Sequence, residues 1–368
     1  MQTVAAFTDT YLPTVNGVSY TIQTWRDRWQ RRGGRMDVVF PGDDDYDPEP
    51  GEYPVRSLPF PFYEGFRMGL PRIPEPVEQA DIVHAHTPFG MGLAGLRLAR
   101  RAEVPLVATY HTPTSEYAEY LTSVGSIERR VENVSERYER WFFDRTNAVI
   151  VPSEDAKRRL RDEVGVRTEI VVLSNGIDIE RFVPSDGDGF RQTYDLGDGP
   201  LVGYTGRHGY EKNLAELLHA AADLDVTVVL GGDGPAREDL ESLADSLDVD
   251  ARFLGFLDRE ELPAFYSALD VFAFPSPVET QGLVALEANA CGTPVVGVNE
   301  GALEDTVVDG VTGYHYESGD LDGFRDGILH ALDASDDLRQ QCLARREEVS
   351  VERSVDQLAA LYERVGKR

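Results

Sequence analysis

Cysteine is nearly absent. Cys291 and Cys342 are the only two in 368 residues. Two thiols exclude a disulfide framework and a cysteine-based metal cluster. Cys291 sits in Glu287-Ala288-Asn289-Ala290-Cys291-Gly292, which reads as the apolar end of a helix carrying a buried thiol. Lysine is almost as scarce: 33 of the 36 basic residues are arginine, and the three lysines are Lys157, Lys212 and Lys367. Long apolar runs are missing as well, since none approaches the roughly 20 residues that span a bilayer. The start, Met1-Gln2-Thr3-Val4-Ala5-Ala6-Phe7, lacks the basic region of a signal peptide and reads as a strand. The expectation is a cytoplasmic protein, able to sit peripherally on the inner face of the cell membrane.

Positive charge is the largest deficit. There are 65 acidic residues against 36 basic ones, a formal net charge of −29. Phosphate backbones are bound by basic surfaces, so no nucleic-acid partner is expected. An acidic, solvated surface suits very high salt, where screening removes self-repulsion. A halophilic setting accounts for the bias without invoking a site. The charge is also uneven. Residues 1–150 carry 16 bases and 21 acids, a net of −5, and the remainder carries −24.

What is present is a steady alternation of short apolar runs with helix-period segments, the pattern of an α/β protein with parallel sheets. Strands are expected at 4–8, 36–40, 82–85, 106–110, 148–151 and 170–173. A second series is expected at 201–204, 226–230, 252–254, 271–274 and 294–298. Pro184-Ser185-Asp186-Gly187-Asp188-Gly189 reads as a linker. Two Rossmann-like domains follow, over 1–180 and 195–348, with a C-terminal helix at 350–366 returning to the first. The apolar stripe Val355, Leu358, Leu361 and Tyr362 on that helix demands a partner.

Three segments of the second half fit a pyrophosphate and a sugar. Gly206-Arg207-His208-Gly209-Tyr210-Glu211-Lys212 follows a strand, and Arg207 and Lys212 can converge on one polyanion. In a chain so poor in lysine, Lys212 stands out. Gly231-Gly232-Asp233-Gly234 is either a phosphate loop or a tight strand-to-helix turn. The most specific segment runs from Pro275 to Ala288. A strand ends, two prolines turn the chain, and a helix begins near Gly282. Glu279 then lies before the helix, and the N–H groups of Gly282 and Leu283 are offered at its start, a natural phosphate site. Glu287 lies about 7–8 Å further along the axis than Gly282.

The first half supplies Asn16-Gly17-Val18 after its first strand, and His84, His86 and His111 on or just after two others. In open α/β sheets, ligands bind beyond the carboxyl ends of the strands. No carboxylate stands at ligand spacing from these histidines, so no metal is expected. Nor does any other cofactor motif occur.

Together these segments resemble the retaining glycosyltransferase family four, of the GT-B fold. The matching motifs are Asn16-Gly17-Val18, His84-x-His86, His111-Thr112, Asn175-Gly176-Ile177-Asp178, Arg207 with Lys212, and Glu279-x7-Glu287 running into Ala290-Cys291-Gly292-Thr293-Pro294. The match covers nearly the whole chain. The resemblance implies two Rossmann-like domains facing across a cleft. It also implies a metal-independent hexosyltransferase using a nucleotide-diphosphate sugar, with retention at the anomeric carbon. Arg207 and Lys212 would neutralise the pyrophosphate. Glu279 would bind the transferred sugar and Glu287 the nucleotide ribose. Gly17, Gly282 and Leu283 would offer backbone N–H groups, and His111 would stand beside the sugar. Gln281 occupies a position where the family often carries Phe. The segments Phe7–Gly17 and Tyr110–Tyr117 look like members that glycosylate diacylglycerol-type lipids.

A lipid acceptor brings a membrane surface into view. Phe60, Phe62 and Phe66 lie in an aromatic, Pro- and Gly-broken stretch. Arg129, Arg130, Arg137, Arg140 and Arg145 belong to a long helix ending in Trp141-Phe142-Phe143, or lie just beyond it. Arginine beside aromatics can anchor at an interface. Interleaved glutamates leave a solvated helix as the competing reading. Two other functions remain open on this architecture: a nucleotide-sugar epimerase, and a non-catalytic nucleotide-sugar binding protein.

Overall fold

The computed structural model describes residues 1–14, 16–59, 67–111 and 125–367, and for 125–133 the backbone alone. The chain divides into two compact units, Met1–Asn175 with Val351–Arg368, and Gly176–Ser350.

In the first unit the strands are β1 (Thr3–Phe7), β2 (Arg35–Pro41), β3 (Glu52–Val55), β4 (Ser57–Pro59), β5 (Arg67–Gly69), β6 (Ile82–Ala85), β7 (Leu106–Thr109), β8 (Ala148–Val151) and β9 (Ile170–Val172). Seven of them form one parallel sheet in the order β3-β2-β1-β6-β7-β8-β9. The other two, β4 and β5, pair as a small antiparallel ribbon. Val4, Ala5, Ala6 and Phe7 are all buried. Their side chains alternate between two core clusters, Ala5 and Phe7 in one and Val4 and Ala6 in the other. A strand with helices on both faces needs such an uninterrupted apolar run.

The second unit contains β10 (Leu201–Thr205), β11 (Thr227–Gly231), β12 (Ala251–Gly255), β13 (Val271–Phe274), β14 (Val295–Val298) and β15 (Gly313–Tyr316). They form a parallel sheet in the order β12-β11-β10-β13-β14-β15. Both sheets therefore reverse direction of growth beside their first strand, between β1 and β6 and between β10 and β13. That switch point is where such sheets open a crevice for ligands.

The helix Val351–Gly366 belongs to the first unit. Its stripe of Val351, Val355, Leu358, Leu361, Tyr362 and Val365 is buried in one cluster with Trp25 and Trp29 of the helix Gly17–Arg31. Each such side chain contributes about 1.5–3 kcal/mol on burial. Arg28 Nε donates to Glu352 Oε1 at 2.9 Å and fixes the register of the two helices. The small-residue run 184–189 lies inside the second unit and opens a helix, Gly187–Thr193, whose Asp186 Oδ1 accepts from Gly189 N at 2.9 Å.

Candidate active site

At the second switch point, the loop after β10 carries Arg207 and Lys212, and the loop after β13 carries Glu279. Lys212 ends a single 3-10 turn, Tyr210–Lys212. Its Nζ donates to Glu279 Oε1 at 2.7 Å, and Ser276 Oγ donates to the same oxygen at 3.1 Å. The predicted cation and the predicted sugar-binding carboxylate are thus in direct contact. Arg207 Nη2 donates to Glu211 Oε1 at 2.6 Å. Neither cation is buried: both pairs reach solvent, so an incoming anion can compete for them.

Gly282 precedes the helix Leu283–Ala290 with φ +71, and a Cβ there would stand 2.9 Å from Leu303 Cδ2. Backbone angle and crowding both require glycine. The helix has no side-chain cap, so its first N–H groups are available to an anion.

Glu287 is buried on that helix. Tyr266 OH donates to Glu287 Oε2 at 2.8 Å, and Arg259 Nη2 lies 3.7 Å from Oε1. Burial pushes its carboxyl up to about 7, against the opposing pull of Arg259 and of the Tyr266 hydrogen bond. Sequence reasoning missed Arg259 and Tyr266, because a carboxylate's partners 21 and 28 positions away leave no local pattern.

The glycine run after β11 has a structural cause. Gly232 has φ +109, and a Cβ there would lie 2.0 Å from Gly206 O; at Gly234 it would lie 2.6 Å from His208 O. His208 N donates to Asp233 O at 2.8 Å and Ala236 N to His208 O at 2.9 Å. The glycines let this loop lie flat against the Arg207 loop.

At the first switch point the chemistry is neutral and buried. Asn16 caps the helix Gly17–Arg31, accepting from Val18 N and Ser19 N, which leaves Gly17 exposed at its start. His84 is held by Tyr362 OH at Nδ1 and Thr109 Oγ1 at Nε2, both at 2.7 Å. His86 Nδ1 meets His111 Nε2 at 3.0 Å. Burial drives the His84 and His111 pKa values down to about 3 and that of His86 well below its ordinary value; for His84 and His86 the neighbouring imidazoles add to this. All three rings are neutral near pH 7.

Asp9 was passed over in the sequence as a site residue, although it stands two positions past the end of β1. It accepts from Thr87 Oγ1 and from Met91 N, the latter at 3.1 Å. The helix Gly90–Ala102 has Phe89 at its cap position, which offers no acceptor, and Asp9 fills that role from elsewhere in the chain. Burial pushes its carboxyl up to about 6, opposed by hydrogen bonds from Thr87, Met91 and Gly92.

Other expectations meet the structure unevenly. Phe60, Phe62 and Phe66 lie outside the described residues, as do the side chains of Arg129 and Arg130. Phe142 and Phe143 are core residues and do not form an interfacial belt with Trp141. Trp141 is partly exposed, with the Arg145 guanidinium 4.5 Å from its ring centroid. Cys291 and Cys342 are buried, and burial pushes both thiols up to about 12. Among the described residues no group of three or more His, Cys, Asp or Glu is placed to hold a metal, and no helix is long and apolar enough to cross a membrane.

Comparison with other proteins assigns the family. Residues 15–181 match the model for Glycosyltransferase Family 4, and residues 189–348 that for Glycosyl transferases group 1. The alpha-monoglucosyldiacylglycerol synthase of Streptococcus pneumoniae is 31% identical over 373 residues, covering 95% of this chain and 82% of that protein. A GDP-mannose-dependent alpha-mannosyltransferase of Corynebacterium glutamicum is 28% identical over 328 residues, covering 84% of this chain and 75% of that one. Among solved structures, Anabaena HepE in complex with UDP-glucose superposes with a TM-score of 0.78 at 20% identity, over 98% of this chain and 99% of that one, and shares the fold. With two parallel sheets of Rossmann order, the Glu279-x7-Glu287 element and these matches, the chain belongs to glycosyltransferase family 4, and it is a nucleotide-sugar-dependent glycosyltransferase of the GT-B fold.

Proposed function

We propose that the protein moves a hexose from a nucleotide-diphosphate sugar to a lipid or glycolipid acceptor, with retention and without a metal ion. The observation that carries the donor half is the Lys212–Glu279 pair at 2.7 Å beside an uncapped helix start at Gly282. A diphosphate arriving there competes with Glu279 for Lys212. The released carboxylate is then free to accept hydrogen bonds from sugar hydroxyls. As the anomeric bond breaks, negative charge grows on the diphosphate. Lys212, Arg207 and the N–H groups of Gly282 and Leu283 stabilise it, a role that a metal ion fills elsewhere. The sugar becomes oxocarbenium-like, and attack from the leaving-group face retains configuration.

The lipid acceptor rests on the glucosyldiacylglycerol relative and on surface chemistry. Leu58 and Met68 are exposed on the β4–β5 ribbon, with Leu70 just beyond it. The ribbon flanks the aromatic stretch 60–66. Contact with the inner face of a membrane would rely on apolar insertion, because molar salt screens the charge of the first half.

The test is a donor panel with extracted membrane lipids at high salt, after EDTA treatment, read by mass spectrometry and by the anomeric NMR signal. A glycolipid of retained configuration is expected. Interconversion of the donor with no acceptor consumed identifies an epimerase, and activity restored only by Mg²⁺ or Mn²⁺ removes the metal-independent mechanism.

A further inference from the structure

Among the described residues, His86 is a buried polar side chain that remains incompletely paired. Its Nδ1 meets His111 Nε2 at 3.0 Å, while its Nε2 is buried without a hydrogen-bond partner. The ring cannot turn to repair this. It stacks on His84 with centroids 4.0 Å apart and an interplanar angle of 29°, and it packs against Trp25 at 6.0 Å. His84 is itself immobilised by the hydroxyls of Tyr362 and Thr109. Beyond His86 comes His111, stacked at 5.3 Å and 17°. Together with Val18, Thr87 and Phe89, His86 and His111 line a small cavity.

We propose that His86 is a positioning residue that holds His111 as its Nδ1–H tautomer, so that His111 meets the substrate as a hydrogen-bond donor and not as a base. One proton lies between His86 Nδ1 and His111 Nε2, and two arrangements exist. If His111 Nε2 carries it, His86 must be protonated at Nε2, and a buried N–H is left with no acceptor. If His86 Nδ1 carries it, the orphan is only a bare ring nitrogen. Orphaned buried N–H groups are rarer than under-satisfied acceptors, and an unmet donor forfeits a full hydrogen bond. The second arrangement is therefore favoured. It forces His111 to bear its proton on Nδ1, because the bond made by one imidazole nitrogen sets the state of the other. Lowered pKa values keep the rings neutral and exclude a doubly protonated compromise. The catalytic consequence rests on His111 standing beside the transferred sugar, where a fixed N–H would steady a sugar oxygen.

The experiment is long-range ¹H–¹⁵N NMR of the full-length, ¹⁵N-histidine-labelled protein, combined with turnover. In the wild type, His111 should show a protonated Nδ1 and a bare Nε2. His86→Phe keeps the aromatic stack but removes the donor. His111 should then revert to Nε2–H, the form favoured in water, and kcat should fall by about 10²-fold, the scale for a misplaced catalytic contact. His86→Asn places an amide N–H where Nδ1 stood and should restore both the tautomer and most of the turnover. A wild-type His111 protonated at Nε2, or a tautomer unchanged in His86→Phe, overturns the proposal whatever the activity. If the tautomers behave as stated but His111→Ala turns over normally, the placement of His111 at the reacting centre is what fails, and the relay loses its catalytic role.

Discussion

The two units share a strand order and place their chemistry at the same topological point, yet they fill it oppositely. Beyond β10 and β13 stand paired charges that keep some access to solvent: Lys212 with Glu279, partly buried, and Arg207 with Glu211, more exposed. Beyond β6 and β7 stand buried imidazoles and hydroxyls, and the buried carboxylate of Asp9, which follows β1, is occupied in capping a helix. Charge in water is cheap to keep and easy to exchange for a ligand's charge. A buried neutral network cannot be exchanged, but it holds geometry. The first kind suits a diphosphate whose charge changes during the reaction. The second suits sugar hydroxyls, which need direction more than compensation. The fold thus fixes where each site lies, and burial decides what each can do.

The sharpest way to break this contrast is at Lys212. Lys212→Ala should lower kcat by about 10²–10³, the scale for removing one charge-stabilising donor, with little change in melting temperature. Release of nucleoside diphosphate measures it. Near-normal turnover would falsify the role assigned to the charged switch point.

Gly232→Ala tests whether the loop after β11 serves packing or a phosphate. Its Cβ would stand 2.0 Å from Gly206 O, at a φ of +109. Backbone meets backbone, so neither side can yield cheaply. A loss of about 3 kcal/mol in unfolding free energy is expected from strain and clash. Because the Arg207 loop must shift, donor affinity should fall with it. Unchanged stability with lost affinity would return the loop to a phosphate-binding role.

Much of this was legible in the sequence, for physical reasons that differ by residue. Strands such as Ile82–Ala85 and Val271–Phe274 are apolar on both faces and announce themselves. β3, β4 and β15 do not, since Pro54, Pro59, Glu52 and His315 break the apolar pattern in these short strands at or near a sheet edge. Asp186-Gly187-Asp188-Gly189 has a linker's composition, but an acid ahead of a short helix is also a cap. Glu279 and Lys212 were legible because each sits beside a turn. Their mutual contact was not, nor was that of His84 with Tyr362 across 278 positions. Such pairs exist only once the sheet has assembled.

A smaller effect separates the carboxylates of the charged unit. Glu287 is buried with its carboxyl pushed up to about 7 from 4.5. Between those values the folded chain binds more proton than the unfolded one, so this group's contribution to stability falls as pH rises. Glu287→Gln removes that slope. Compared with wild type, the variant should gain about 1 kcal/mol per pH unit from pH 4.5 to 7 and then level off. Urea unfolding at several pH values reads it directly. A parallel pair of curves would mean that Arg259 and Tyr266 hold the buried carboxyl ionised throughout.

The smallest effect tests the inference that scarcity marks function. Lysine occurs three times, so rarity alone marks Lys157 and Lys367 as much as Lys212. Lys157 is equally rare, but its Nζ pairs with Glu154 at 2.9 Å, three residues back in the same short helix, with both side chains exposed. Exposed pairs of this kind are worth about 0.2–1 kcal/mol at most, and added salt screens them further. Lys157→Ala should therefore move unfolding free energy by less than about 0.5 kcal/mol and leave turnover unchanged. A comparable loss of turnover in both lysine variants would show that general depletion of positive charge, and not the location of Lys212 at the switch point, governs activity. A loss confined to Lys212→Ala assigns the effect to the loop that follows β10 and to its contact with Glu279.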